Sequence, residues 1–114
     1  MKIIDPKATP TKDLHQYLLG AVAPRPIAFA STIDPKGAHN LAPYSFFNCF
    51  SSNPPILVFS SNRRVSTNTT KDTLHNIEQT REVVINVVNY NIVRQMALTR
   101  IDYPTHNREF KTAV

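Results

Sequence analysis

Two linked segments dominate this chain. Residues 25–48 read RPIAFASTIDPKGAHNLAPYSFFN, and residues 54–80 read PPILVFSSNRRVSTNTTKDTLHNIEQT. Each alternates apolar, β-branched or aromatic stretches with loops rich in Ser, Thr, Asn, Lys and Arg. Such stretches form strands, and their loops collect at the rim of the sheet. A stiff sheet that presents cationic and hydroxyl groups at its rim is a way to hold an anionic cofactor.

A length of 114 residues sets a single domain. Apolar residues make up 41%, which is enough for a core but a modest one at this size, so a partner subunit would supply further burial. Nine prolines against two glycines disfavour a helical bundle and fit strands broken by rigid turns. The net charge of +5 is spread along the chain. It suits a phosphate-bearing small molecule better than nucleic acid, because no basic stripe stands out. Cys49 is the single cysteine, which excludes an internal disulfide framework and points to a reducing compartment. The start MKIIDPKATP has no apolar signal region, and no stretch nears 18 apolar residues, so the expected location is the cytoplasm, with no membrane partner. His15, His39, His75 and His106 lack metal-ligand spacing, so no metal site is expected.

Along the chain, residues 1–11 read as an extended arm and residues 13–19 as a short helix that Gly20 would end. Residues 21–33 form the first strand, paired from Pro26 onward. Asp34-Pro35-Lys36-Gly37 is the clearest turn, with Pro35 fixing φ and Gly37 free to take positive φ. Residues 38–42 then return antiparallel. Over residues 43–52, a continuous strand would put Tyr44 and Phe46 on one face and Phe47 on the other, hence a core or subunit contact. Residues 55–61 are apolar on both faces, which predicts a central strand. A polar loop over 62–70 leads to a helix over 70–80, with Leu74 and Ile77 inward and Thr70, Asp72 or Thr73 as cap. A β-branched strand follows over 82–88, then a second helix over 89–98 with Ile92, Val93, Met96 and Ala97 as its stripe. Residues 103–111 are polar and aromatic. Mostly antiparallel pairing with few helices predicts a mainly β fold, a small barrel that is either open or incomplete.

Lys71, Asp72 and Thr73 are the first anion-site candidates, because N–H groups at a helix start favour negative charge and an ammonium and a hydroxyl stand beside them. An ordinary capped surface helix is the plainer reading. Ser60, Ser61, Asn62 and Arg63 lie where a strand meets the polar loop and offer hydroxyl, amide and guanidinium donors, against the alternative of a solvated turn. The pair Arg63 and Arg64 is either surface charge or one arginine reaching a ligand. Pro43, Tyr44, Ser45, Phe46 and Asn48 could lie along a flat heteroaromatic ring or simply fill a core strand. Arg25, held between two prolines, could pair with a carboxylate or touch phosphate. Cys49 has no histidine near it in sequence and fits a small buried residue. No G-x-S-x-G, H-E-x-x-H or Walker A pattern occurs, so no catalytic side chain is assigned. Where acid–base machinery is missing, a cofactor carries the chemistry and the protein supplies pocket and orientation.

The run from Arg25 to Ser61, followed by KDTLHNIEQTREVVINVV, closely resembles the flavin reductase-like, FMN-binding split-barrel family of flavoprotein-oxygenase-associated reductases. The resemblance covers about residues 17–97. It rests on ordered pieces: Arg25-Pro26-Ile27, Gly37 with Asn40-Leu41-Ala42-Pro43, Ser45-Phe46-Phe47, Pro54-Pro55, and Lys71-Asp72-Thr73 ahead of Asn76 and Asn86. It implies one flavin reductase-like domain over residues 1–114, an antiparallel, Greek-key-like split β-barrel with one or two short helices. Family domains run on for several more strands, so a truncated version is expected: a fragment, a truncated gene product, or a minimal form completed by dimerisation. It also implies a homodimer with FMN near the subunit contact. Residues 43–48 would lie against the isoalloxazine edge. Ser60, Ser61, Asn62 and the helix start at Lys71, Asp72 and Thr73 would take the ribityl phosphate region. The implied activity is NAD(P)H-dependent flavin reduction, with NADH or NADPH as donor and an oxygenase or other acceptor taking the reduced flavin. The alternative is a non-catalytic FMN-binding or electron-transfer protein on the same fold.

Overall fold

The computed structural model describes residues 1, 3–62 and 70–99. The expected arm holds a turn near its middle, where the Asp5 carbonyl accepts from the Ala8 and Thr9 amides. It gives way to α1 (Thr11–Ala21) directly after Pro10. That helix is longer than the sequence predicts and runs through Gly20. A glycine near a helix end costs little when the last carbonyls find donors. Here Val22 N–H bonds to the Leu18 carbonyl, and the Arg25 guanidinium takes the Leu19 and Val22 carbonyls.

Strands β1 (Ala28–Ile33) and β2 (His39–Tyr44) form the expected hairpin, with Ala30 opposite Ala42. Its turn is built as the residues dictate. Gly37 has φ +83° and its N–H bonds to the Asp34 carbonyl. The Asp34 carboxylate accepts from the Lys36 and Ala38 amides at 2.9 and 2.7 Å. Strand β5 (Val84–Val87) pairs antiparallel on the other side of β1, giving the order β2-β1-β5. Among the described residues Pro43 therefore sits in an edge strand, where a missing N–H is tolerated.

The strand expected to run on through residues 43–52 instead breaks at Ser45 and Phe46, and β3 (Phe47–Ser52) begins a second sheet with β4 (Pro55–Phe59). The break overturns the alternation expected of a continuous strand. Tyr44 and Phe47 now enter the same core cluster, with Ala28 and Ala30, and Phe59 and Ile85 pack against it. Strand β4 is likewise not central among the described residues. It pairs with β3 alone, and Ile56, Leu57 and Val58 are all exposed. Its apolar pattern on both faces signals burial that this chain's own described residues do not supply.

Helix α2 (Asp72–Thr80) starts from Lys71 with no side-chain cap and ends at Arg81, which takes a left-handed φ of 59°. None of the three residues expected to cap it does so. Helix α3 (Val93–Leu98) is shorter than expected, and only Met96 is fully buried. Met96 closes a second core cluster with Phe29 and Leu41, joined by Ile27, Val88 and Ile92. Phe29 and Ala30 point to opposite faces of β1; α2 together with Phe47 and Phe59 of the second sheet packs on the Ala30 face, and Met96 of α3 on the Phe29 face.

Candidate functional site

Along β2, Asn40, Ala42 and Tyr44 lie opposite Thr32, Ala30 and Ala28, so all six share one face of the hairpin. Tyr44 forms the floor at one end. Its ring centroid is 4.8 Å from that of Phe59, tilted by 40°. The Lys71 ammonium stands 4.8 Å from the same Tyr44 centroid. One aromatic ring thus joins the end of β4 to the start of α2.

The bend at Ser45 and Phe46 is held from the other direction. Arg25 Nε donates to the Ser45 carbonyl at 2.8 Å, while Nη1 donates to the Leu19 and Val22 carbonyls at 2.7 and 2.6 Å. The guanidinium carbon lies 6.0 Å from the Phe46 centroid, and His15 of α1 meets Phe46 edge-on at 5.5 Å. The Ser60 amide donates to the Phe46 carbonyl at 2.9 Å, which ties the exit of β4 to the same bend. The Ser60 hydroxyl then donates to Asn62 Oδ1 at 2.9 Å. Ser61 Oγ is shielded from solvent and has no hydrogen-bond partner among the described residues.

Direct contacts therefore connect Arg25, Ser45, Phe46, Ser60 and Asn62 in one set, and Tyr44 with Lys71 in another. The step from Phe59 to Ser60 links the two sets. Others among the residues expected from sequence stand apart. Pro43 points to the opposite face from Tyr44. Asn48 is exposed, and its Oδ1 accepts from the Cys49 amide at 2.8 Å. Asp72 is the exposed first residue of α2. Thr73 is 1% exposed, and its hydroxyl accepts from Asn40 at 2.7 Å. Arg63 and Arg64 lie outside the described residues, as does the 103–111 tract. Cys49, expected to be buried, is exposed on β3, beyond the part of the sheet where Phe47 and Phe59 meet the core.

Sequence reasoning missed the polar contacts that Thr32, Asn40 and Asn76 make between the hairpin and α2, and the packing of His15 on Phe46. The first had a visible signal: Thr32 continues the buried row of Ala28 and Ala30 with a hydroxyl. His15 carried none.

The donor set fits a phosphate ester. The cap residue of α2, Lys71, offers no side-chain acceptor to the first-turn N–H groups and carries its ammonium over Tyr44, and Ser61, just after β4, has a shielded hydroxyl with no partner among the described residues. Among the described residues, no group of three or more His, Cys, Asp or Glu could hold a metal ion.

The flavin reductase like domain matches residues 20–114. The chain belongs to that family. It is 40% identical over 107 residues to an uncharacterized protein of Aquifex aeolicus, covering 94% of this chain and 54% of that protein. Nitrilotriacetate monooxygenase component B from Bacillus cereus superposes with a TM-score of 0.89 at 32% identity, over 99% of this chain and 55% of that one. A proposed flavin reductase with a split barrel domain from Shewanella frigidimarina gives a TM-score of 0.72 at 26% identity, over 92% and 50% of the two chains. This chain spans about half the length of the curated relatives it matches. The fold is accordingly the mainly β, antiparallel split-barrel type of this flavin reductase family, as the resemblance implied. No helix among the described residues is long and apolar enough to cross a membrane.

Proposed function

We propose that the chain binds FMN and acts as an NAD(P)H-dependent flavin reductase. The observation that carries the reading is Lys71, poised over Tyr44 at the uncapped start of α2. In this reading the ammonium and the first-turn N–H groups bind the phosphate, whose charge near neutral pH is about −1.5 to −2. Ser61 Oγ, which has no partner among the described residues, donates a further hydrogen bond. Ser45 and Phe46 present backbone and ring edges to the planar part of the flavin. Arg25 fixes that bend by holding the Ser45 carbonyl. When bound, the flavin would supply the chemistry of hydride transfer from a reduced nicotinamide to an electron acceptor.

The active form is proposed to be a homodimer. Phe50, Leu57 and Val58 are 69%, 53% and 47% exposed on a two-stranded sheet. Apolar exposure on both faces of a short sheet marks it as a surface to be covered. The Bacillus cereus protein is a monooxygenase component, which supports an oxygenase as the acceptor of reduced flavin. The cytoplasm is the proposed compartment, on the strength of the single cysteine.

The test is NADH and NADPH oxidation by the purified chain with FMN added. Acceleration above the free-flavin background supports the reductase. Bound FMN without acceleration leaves a flavin-binding or electron-transfer protein instead.

A further inference from the structure

We infer that Asn40 is a positioning residue for the anion-binding end of α2, an inference that rests on the flavin reading above. Asn40 Nδ2 donates to Thr73 Oγ1 at 2.7 Å and to Thr32 Oγ1 at 3.3 Å. Thr32 Oγ1 also accepts from Asn76 Nδ2 at 3.1 Å. Four polar side chains from β1, β2 and α2 thus close one network beneath the helix, with Thr32, Thr73 and Asn76 all buried.

Burial alone does not call for these residues. Valine has the shape of threonine and would pack in the same space with no polar group to satisfy. A buried polar network, once satisfied, fixes a single arrangement where apolar contacts tolerate sliding. The arrangement fixed here is the first turn of α2. Thr73 is its second residue and Asn76 lies one turn on. Both are anchored to the hairpin that also carries Tyr44. The register of that turn decides where Lys71 and the first N–H groups stand above Tyr44.

The network also has a direction. An amide NH2 only donates, so Thr73 must accept from Asn40. The hydroxyl hydrogen of Thr73 is then kept for a different acceptor. Asn40 therefore sets both the place of the helix start and the donor character of a hydroxyl within it.

The test uses the full chain as wild type, Asn40→Ala, Thr73→Val, Thr73→Ser and the Asn40→Ala/Thr73→Val double variant. Two readouts are taken: amide exchange of the flavin-free protein, and FMN affinity by fluorescence titration. The Leu74 and His75 amides, which bond to the Lys71 carbonyl, report on the first turn. In Asn40→Ala their exchange rises about tenfold while the β1–β5 ladder is unchanged, and FMN dissociation rises about tenfold. Thr73→Val, which keeps the shape, moves both readouts in the same way, and Thr73→Ser stays within about twofold of wild type on both. The double variant is no worse than either single change, because the residues act as one unit. First-turn exchange left at the wild-type rate in both Asn40→Ala and Thr73→Val overturns the positioning role even if FMN binds. Wild-type protein that fails to bind FMN overturns the flavin reading and this network's service to it. The exchange readout needs no flavin, so the two failures are told apart.

Discussion

The Lys71 ammonium lies 4.8 Å from the centre of the Tyr44 ring, at the point where α2 begins. A cation over an aromatic face is stabilised by about 0.5–2 kcal/mol, depending on its exposure to water. The contact therefore does more to place the charge than to hold the fold. Lys71→Gln is expected to raise the FMN dissociation constant by about tenfold or more, since charge-assisted bonds to phosphate contribute roughly 1.5–3 kcal/mol. Thermal stability should fall by no more than about 2 kcal/mol. Wild-type affinity should also weaken as salt is raised, and the variant's affinity should respond less. Titrations at two ionic strengths check both effects.

Arg25→Lys is predicted to destabilise the chain by about 1–3 kcal/mol, read by thermal or urea unfolding. Two guanidinium nitrogens reach three backbone carbonyls, on Leu19, Val22 and Ser45. A lysine carries its charge on one nitrogen and cannot span that fork. A variant as stable as wild type contradicts the clamp.

Arg81→Gly is expected to stabilise the protein by up to about 1 kcal/mol. Arg81 closes α2 at φ 59°, a conformation that glycine adopts without a Cβ penalty, and its N–H bond to the Ile77 carbonyl needs no side chain. A fall in the midpoint temperature contradicts this.

Leu57→Asp should shift the protein from dimer to monomer in sedimentation velocity. Leu57 is exposed opposite Cys49 on the β3–β4 sheet, so its replacement removes little packing within one subunit. A desolvated carboxylate at a subunit contact is strongly unfavourable. A wild-type chain that is monomeric at all concentrations removes the basis of the dimer proposal.

Met96→Ala is predicted to cost about 2–5 kcal/mol, because Met96 is the buried anchor of α3 against Phe29 and Leu41. FMN affinity of the folded fraction should be unchanged, as this cluster lies on the hairpin face away from Tyr44.

Much of this was legible in the residues. Asp34, Pro35 and Gly37 specify their turn by local chemistry, and the hairpin register follows from it. Leu74 with Ile77 specify their helix by period, and the run of valines near residue 85 specifies its strand by β-branched propensity. The break at Ser45 and Phe46 was not legible, because it depends on Arg25 reaching across from twenty residues away to hold a carbonyl. Helix α1 ran past Gly20 for the same reason. Strand β4 misled because apolar faces report that a strand is to be covered and not what covers it. Within the site, Lys71 stands over Tyr44, and the Ser60 hydroxyl donates to Asn62, two contacts that the sequence did not specify. Thr73 turned inward because Asn40, distant in sequence, offers its amide.

The most direct measurement is a paired titration of the wild-type chain with FMN and with riboflavin, which differ only in the phosphate. The account predicts that FMN binds at least about tenfold more tightly at low salt, and that Lys71→Gln removes most of the difference. Equal affinity for the two flavins, or binding of neither, contradicts it.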